Sequence, residues 1–213
     1  MRLLHVIASP RGARSRSRCV ADHFLRHLVG AQVEELDLWA EALPELDGAM
    51  LESRYRLIAG EPVEERFVSQ WDELRARVDH LLSFDAWLFS TPMWNFGVPY
   101  RLKHYLDLVI QPTMAFTNDP SGTITAHGAD KIAILVGAGA LDIRPGSALA
   151  PLDFNLAHLA QCLRIYFGVS EVHELRIVPT FGNVQTVENA MADARLQAHA
   201  LAVSLSNRGG AQG

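Results

Sequence analysis

The sequence has few cysteines and no long apolar run, and both absences narrow its class. Cys19 and Cys162 are far apart among 213 residues, which predicts ordinary buried or half-buried thiols and excludes a disulfide scaffold. No apolar stretch approaches the roughly 18 residues that a membrane-spanning helix needs. The N-terminal residues lack the pattern of a signal peptide. These absences predict a soluble, cytoplasmic protein that does not enter a membrane.

Basic residues are not in excess, and metal-ligand clusters are missing from the sequence. The net charge is −5, so the composition gives no reason to expect nucleic acid or an acidic membrane surface as a partner. The nine histidines are scattered. His23 and His27 have helical i, i+4 spacing, but the sequence supplies no third ligand nearby. We therefore expect a solvated helix face there and no metal site.

Short apolar runs alternate with longer helical patterns along the chain. Since 49% of the residues are hydrophobic and no linker or repeat interrupts the pattern, we expect a single domain over 1–207, followed by a flexible tail over 208–213. The predicted strands cover 3–8, 33–38, 86–90, 131–136 and 171–178. The predicted helices cover 17–29, 62–82, 99–110, 154–167 and 187–205.

This alternation predicts an α/β fold, a doubly wound parallel sheet with helices on both faces. In such a sheet, ligands bind beyond the carboxyl ends of the strands, where the strand order reverses. Two connections, 47–61 and 111–129, are long for a compact domain. Long connections at the ends of a sheet are more often functional than idle.

The loop after the first strand, "IASPRGARSRSRCV" over 7–20, is rich in serine and arginine. It enters a helix N-terminus, which favours anions such as phosphate. It lacks both the G-x-G-x-x-G of dinucleotide sites and the G-x-x-x-x-G-K-[ST] of triphosphate loops. The hydroxyls of Ser9, Ser15 and Ser17 remain as donors to a terminal phosphate monoester, which suits FMN better than ATP. For Ser15 or Ser17 alone, a role as helix N-cap is an equal alternative.

The segment after the third strand, "STPMWNFGVPYRLKHYLD" over 90–107, is the second candidate. Its prolines and glycine predict an irregular turn before a helix that starts near Pro99. Backbone groups of this turn could contact the polar edge of a flavin, and Trp94 and Phe96 could offer flat apolar surface. Trp94 as a core aromatic and Asn95 as an ordinary turn residue stay open alternatives.

Together these two segments resemble the FMN-dependent NADH-azoreductases, which are flavodoxin-like quinone and azo reductases. The resemblance rests on Pro-Met-Trp-Asn-Phe-Gly-Val-Pro over 92–99 and on Ser-Pro-Arg-Gly-x-Arg-Ser-Arg-Ser over 9–17. It implies five main strands in the order 2-1-3-4-5 and a homodimer with the cofactor near the subunit interface. It also implies FMN, with the serines at the phosphate, Asn95 as the main polar contact to the ring, and the turn after strand four at the pyrimidine end.

The implied cofactor residues come from three loops. They are Ser9, Ser15, Arg16, Ser17, Pro92, Met93, Trp94, Asn95, Phe96, Gly137, Ala138, Gly139 and Ala140. The last four depart from the family, whose members often carry a polar turn with an arginine there. The backbone N–H groups of this turn are still available, but no side chain of the turn supplies a positive charge beside the reduced flavin. We therefore expect a hydride rate or substrate preference that differs from the family norm.

The resemblance implies a ping-pong cycle, in which NADH or NADPH gives hydride to flavin N5 and an aromatic acceptor then takes it. No catalytic side chain is predicted, because the cofactor carries the chemistry. Phe116 and Tyr100 are candidates for the substrate pocket. Two alternatives remain: a pathway-specific flavoenzyme that reduces another aromatic metabolite, and a flavodoxin-like electron-transfer protein that does not react with reduced nicotinamide.

Overall fold

The computed structural model describes residues 1–119 and 121–210. Its seven strands are β1 (Arg2–Ile7), β2 (Gln32–Asp37), β3 (Ala86–Pro92), β4 (Phe116–Asn118), β5 (Ile124–Ala126), β6 (Ile132–Ala138) and β7 (Glu171–Ile177). Five of them form a parallel sheet in the order β2-β1-β3-β6-β7. Strands β4 and β5 pair with each other in a separate antiparallel hairpin. The predicted order 2-1-3-4-5 is therefore confirmed for the five main strands.

Helices cover both faces of the sheet, as predicted. The helices are α1 (Arg16–His27), α2 (Gly48–Ile58), α3 (Glu65–Leu82), α4 (Tyr100–Val109), α5 (Leu156–Tyr166) and α6 (Val184–Gly210). Alternate residues of each strand face opposite layers. Leu3 and Leu88 pack with residues of α1 and α6, whereas Leu4 and Phe89 pack with residues of α3, α4 and α5. The core thus consists of two apolar layers, one on each side of the sheet.

The two long connections contain regular structure that the sequence patterns did not predict. Residues 48–58 form α2, whose N-terminus is capped by Asp47, with the N–H of Met50 donating to the carboxylate over 2.8 Å. The Ser53 hydroxyl of this helix accepts a hydrogen bond from the Trp71 indole N–H on α3 over 2.8 Å. Within 111–129 the chain forms the β4–β5 hairpin. The description of these segments as plain connections was therefore wrong.

The chain's last helix is longer than predicted at both ends. Helix α6 continues to Gly210, so the first residues of the predicted tail are helical. Arg208 forms an ion pair with Glu171 at 2.5 Å. Residues 211–213, the rest of that predicted tail, lie outside the described residues. Within the part of the chain that the structure describes, no helix has the length and apolar character needed to cross a membrane, and the cytoplasmic location stays a prediction.

The reversal of strand order places two loops side by side. Strands β1 and β3 are neighbours in the sheet, but β1 leads to α1 on one face and β3 leads to α4 on the other. The crevice between such diverging connections is the usual ligand site of an open parallel sheet. Here it lies between the serine-rich loop after β1 and the aromatic turn after β3.

Candidate functional site

The loop after β1 is shaped by a short helical turn and a serine cap. Residues Gly12–Arg14 form a 3-10 turn, and Gly12 has φ +52°, a conformation that glycine adopts without steric cost. Ser15 caps α1, since its hydroxyl oxygen accepts from the Arg18 N–H over 3.3 Å. The N-cap role considered for Ser15 is therefore confirmed. The hydroxyl hydrogen of Ser15 is not used by this contact and can still be donated.

Three serine hydroxyls of this loop are buried. Ser9, Ser15 and Ser17 are only 3%, 2% and 0% exposed, and the hydroxyls of Ser15 and Ser17 lie 3.1 Å apart. The N–H groups of Arg16 and Ser17 belong to the first turn of α1, where N–H groups lack partners within the helix. Hydroxyls beside the N–H groups of a helix N-terminus are an arrangement that favours an anion, and the binding of a phosphate by these serines stays a prediction.

The arginines of the loop are engaged elsewhere or exposed. The Arg16 guanidinium donates a hydrogen bond to the Thr180 carbonyl oxygen after β7. Arg18 pairs with Glu35 on β2 at 2.9 Å, and Arg14 is exposed. Their positive charge surrounds the loop, but the structure uses Arg16 to hold α1 against the end of β7. Direct contact between Arg16 and a phosphate stays a prediction.

The turn after β3 is a tight loop with unusual backbone angles. Trp94 and Gly97 exchange two backbone hydrogen bonds of 2.9 and 3.0 Å, and Asn95 and Phe96 between them have φ +49° and +67°. Two-residue loops of this type favour Asn followed by Gly, because both positions need positive φ. Asparagine tolerates that conformation, but a phenylalanine there is strained. Such strain is typical of functional sites.

An aromatic cluster lies beside this turn. The ring centroid of Trp39 lies 5.9 Å from that of Trp94 and 5.5 Å from that of Tyr100. The Trp39 indole N–H donates to the Ala8 carbonyl oxygen over 3.0 Å, which holds the ring at the end of β1. Trp94 and Tyr100 remain 38% and 63% exposed. Sequence reasoning missed Trp39, although a tryptophan directly after β2 is a recognisable signal once the strand order is known.

A cleft with a volume of about 720 Å³ opens beside the cluster. It is lined by Glu45, Leu46, Trp94, Asn95, Val98, Tyr100, Lys103, His104 and Asp107. Trp94 and Asn95 of the turn thus share one cleft with Tyr100, and the binding of a substrate there stays a prediction. Phe116 does not line it. The Phe116 ring is 5% exposed, lies 5.1 Å from the Tyr166 ring, and borders an adjacent groove along α4.

The end of β6 differs from the predicted four-residue turn. Gly137 and Ala138 belong to the strand itself, so the turn begins at Gly139. A Cβ on Gly137 would lie 2.7 Å from the Leu156 side chain, which explains the glycine by close packing with α5. Gly139 is buried, and its N–H and carbonyl bond to Ile177 and Thr180. Ala140 is exposed and offers its N–H at the rim of the sheet.

Asn155 joins the aromatic turn to the loop before α5. Its side-chain amide donates to the Pro92 carbonyl oxygen over 2.8 Å, and its Oδ1 is buried without a partner among the described residues. Asp153 accepts from the Leu156 N–H over 3.0 Å and pairs with Arg176 at 2.9 Å. Sequence reasoning assigned no role to Asn155, because its contact depends on how the loop before α5 lies beside the end of β3.

His5 lies in the middle of the sheet, beneath both loops. Its Nε2 is 2.9 Å from the Ser90 hydroxyl on β3, and its side chain is fully buried. Burial, with a smaller contribution from the Arg18 charge, lowers the pKa of His5 to about 3. The imidazole is therefore neutral at pH 7. It connects β1 to β3 through a hydrogen bond and lies too deep to exchange protons with a ligand.

Comparisons with known proteins agree with this geometry. The profile of a family described as flavodoxin-like fold matches residues 1–202. The FMN-dependent NADH:quinone oxidoreductase of Desulfotalea psychrophila is 33% identical over 208 residues, 96% of this chain and 97% of its own. FMN-dependent NADH:quinone oxidoreductase 3 of Pseudomonas fluorescens is 32% identical over 213 residues, 97% and 98% of the two chains.

A solved structure shows the same fold. The azoreductase of Bacillus anthracis superposes with a TM-score of 0.84 at 22% identity, and the match covers 95% of this chain and 98% of that one. The structural likeness establishes the shared fold, and the sequence relatives establish the kinship. The chain therefore belongs to the flavodoxin-like family that includes the FMN-dependent NADH:quinone oxidoreductases.

Proposed function

We propose that the protein binds FMN and uses NADH to reduce quinone or azo-type aromatic acceptors, with two electrons per turnover. One observation carries this proposal: a buried serine anion site and an exposed aromatic turn lie at the ends of adjacent strands. A ligand with a phosphate at one end and a flat ring at the other fits that pair. The names of the curated relatives identify FMN as such a ligand for those proteins.

The residues present fit the phosphate of FMN. Ser9, Ser15 and Ser17 are buried hydroxyls, and hydroxyl donors hold a phosphate dianion without a metal. The N-terminus of α1 adds its partial positive charge. Hydrogen bonds to a charged group are worth about 1.5 to 3 kcal/mol each. We assign these serines the phosphate and leave Arg16 a supporting role through its bond to Thr180.

The residues present also fit an isoalloxazine ring. Within the segment from Pro92 to Phe96, Trp94 and Asn95 line the cleft. Ala140 offers a backbone N–H for the pyrimidine end. The Oδ1 of Asn155 is buried and has no hydrogen-bond partner among the described residues. This supports a hydrogen-bond donor of the ligand close to Pro92. Bound FMN supplies two-electron hydride chemistry between a reduced nicotinamide and an acceptor.

The side chains of the cleft bind and orient the second substrate. Trp94 and Tyr100 present flat aromatic surface, which favours stacking of planar rings. We propose that NADH and the acceptor use this cleft in turn, which gives a ping-pong cycle. Neither nearby histidine is needed as an acid, since His5 is buried and neutral and His104 donates its Nε2 hydrogen to the Pro44 carbonyl oxygen over 2.8 Å.

We also propose that the protein acts as a homodimer, as the resemblance implies. Large apolar side chains border the site and remain exposed in one chain: Phe154 and Phe181 are 58% and 79% exposed. Exposed apolar surface next to a ligand site is often covered by a partner subunit. Sedimentation equilibrium tests this proposal. We expect a single species of twice the chain mass, and a monomer at micromolar concentration would contradict it.

Stopped-flow spectroscopy of the FMN-loaded protein tests the proposed activity. Anaerobic mixing with NADH should bleach the flavin absorbance within seconds, and a quinone should then restore it. Absence of bleaching over minutes would contradict the reductase and favour an electron-transfer protein. Parallel runs with NADPH and with a panel of quinones, azo dyes and other aromatic compounds identify the preferred donor and acceptor. If the reduced flavin were reoxidised rapidly by only one aromatic metabolite of the panel, a pathway-specific enzyme would be favoured.

A further inference from the structure

Three histidines converge on the face opposite the aromatic cleft. His23 and His27 project from α1, and His199 projects from α6. The ring centroid of His27 lies 4.5 Å from each of the other two. One nitrogen of each ring lies within 4.8 Å of the others. Sequence reasoning did not find the third histidine, because α1 and α6 are distant in the chain and meet only in the fold.

The protonation of His27 leaves a nitrogen available for a metal. The His27 Nδ1 lies 2.8 Å from the His23 carbonyl oxygen. A carbonyl oxygen can only accept, so Nδ1 carries the hydrogen and Nε2 carries the lone pair. This arrangement, with one ring nitrogen donating to a backbone carbonyl, is the usual state of a metal-binding histidine. Burial and the neighbouring His27 lower the pKa of His23.

The two helices hold the three rings on a rigid support. Ala194, Ala198 and Ala202 of α6 are fully buried and pack with Val20, Ala21 and Phe24 of α1. Small side chains allow the helix axes to approach closely. The N–H of Val29 also donates to the Ser206 hydroxyl over 2.9 Å. His199 is thus held beside α1 by packing that does not involve the histidines themselves.

We propose that His23, His27 and His199 form a binding site for one divalent transition-metal ion of the Zn²⁺ class. Imidazole nitrogens suit zinc, nickel and copper, whereas magnesium and calcium prefer oxygen. Ligand nitrogens around tetrahedral zinc are about 3.4 Å apart, given zinc–nitrogen bonds of about 2.1 Å. Small rotations of the side chains close the gap from 4.8 Å. Three protein ligands leave a position for water.

The bound ion would cross-link α1 to α6 and would act apart from the flavin chemistry. His23 lies six residues beyond Ser17, about 9 Å further along the helix axis. Arg26 and Arg195 lie close to His23 and lower its pKa, and no carboxylate belongs to this cluster. Their positive charge opposes a cation, so we expect weaker binding than at a closed structural zinc site.

Calorimetric titration of the tag-free, FMN-loaded protein with zinc chloride tests the site. After removal of metal by a chelator, we expect one zinc ion per chain. His23→Gln and His199→Gln should each weaken binding at least about 10-fold. His127→Gln is the matched control, because His127 is exposed and outside the cluster. A magnesium titration should give no saturable signal.

Thermal unfolding gives a second readout that does not depend on activity. Zinc should raise the unfolding temperature of the wild type and of His127→Gln, because ligand binding to the folded state stabilises it. The two cluster variants should show no rise. Absence of saturable zinc binding by the wild type would overturn the proposal. Equal affinity in His199→Gln and the wild type would also overturn it, since the ion would then bind elsewhere.

Discussion

The loop after β1 and the turn after β3 are adjacent, but they are built in opposite ways. The first buries its polar groups: Ser15 and Ser17 are almost fully enclosed, 3.1 Å apart. The second exposes its apolar groups: Trp94 and Phe96 are each 38% exposed. The Ser15 and Ser17 hydroxyls already have hydrogen-bond partners within the loop, whereas the exposed rings leave apolar surface in contact with water. An amphipathic ligand would cover both regions.

The difference indicates that the two regions bind different parts of the ligand. The serine loop holds its groups in place by capping and burial, so it sets which anion is bound. The aromatic turn is held by its backbone, with positive φ at Asn95 and Phe96, and it leaves the Trp94 ring open to the cleft. We therefore expect substitutions in the loop to discriminate between FMN and riboflavin, and substitutions in the turn to affect both ligands alike.

Removal of the two serine hydroxyls gives the largest expected effect. Ser15→Ala combined with Ser17→Ala should weaken FMN binding about 100-fold or more, since two hydrogen bonds to a charged phosphate are lost. Riboflavin binding should change by less than about 3-fold. Fluorescence titration of the apoprotein with each flavin measures both. Ser204→Ala, an exposed serine of α6, is the matched control.

The single variant Ser17→Ala separates ligand binding from helix capping. Loss of the Ser15 cap alone costs about 1 kcal/mol of stability, whereas Ser17 is not the cap. Ser17→Ala should still weaken FMN about 10-fold. Equal losses for FMN and riboflavin in this variant would show that the loop does not hold the phosphate.

Acid should destabilise the pairing of β1 with β3, the two strands that carry both regions. His5 on β1 bonds to Ser90 on β3, and its pKa is about 3 in the folded protein against about 6.5 unfolded. Between these values the unfolded chain binds more protons, so stability falls as pH falls. We expect the free energy of unfolding to drop by about 2 kcal/mol from pH 7 to pH 5 through His5.

Urea unfolding at several pH values measures this dependence. His5→Gln, which cannot be protonated, should have a flatter profile between pH 7 and pH 5, whereas His127→Gln should keep the slope of the wild type. The full slope in His5→Gln would show that another group causes the acid sensitivity.

Trp94→Ala should weaken FMN and riboflavin equally, by about 10-fold. Base–aromatic stacking is worth about 1 to 3 kcal/mol per ring, and the riboflavin ring is the same as that of FMN. Trp94→Tyr, which keeps an aromatic face, should retain most of the affinity. If Trp94→Ala lost affinity for FMN but not for riboflavin, the proposal that the two regions bind different parts of the ligand would be contradicted.

Ala140→Arg should give the smallest effect, and this effect should be on the rate of flavin reduction rather than on flavin binding. A cation at this exposed position would stabilise negative charge on the reduced ring, although solvent screens it. We expect flavin reduction by NADH to become about 3-fold faster by stopped-flow, with unchanged FMN affinity. Ala140→Gln supplies a polar chain without charge. Identical rates for the two variants would exclude the charge effect.

Features that depend on local sequence could be predicted, whereas features that depend on packing could not. Strand order, helical faces and the Ser15 cap follow from periodicity, motif and the family resemblance. Trp39 reaches the site only because β2 pairs with β1, and Asn155 only because the loop before α5 lies beside the end of β3. His199 meets His27 for the same reason. Gly137 was predicted to start a turn, but it lies within β6, where close packing with the Leu156 side chain requires glycine.

The affinity of the wild-type apoprotein for FMN and for riboflavin tests the central claim most directly. The two flavins differ by the phosphate alone, so the ratio of their dissociation constants reports what the serine loop contributes. We predict that FMN binds at least about 100-fold more tightly than riboflavin, because at least two buried hydroxyls donate to the phosphate. Equal dissociation constants would contradict the account.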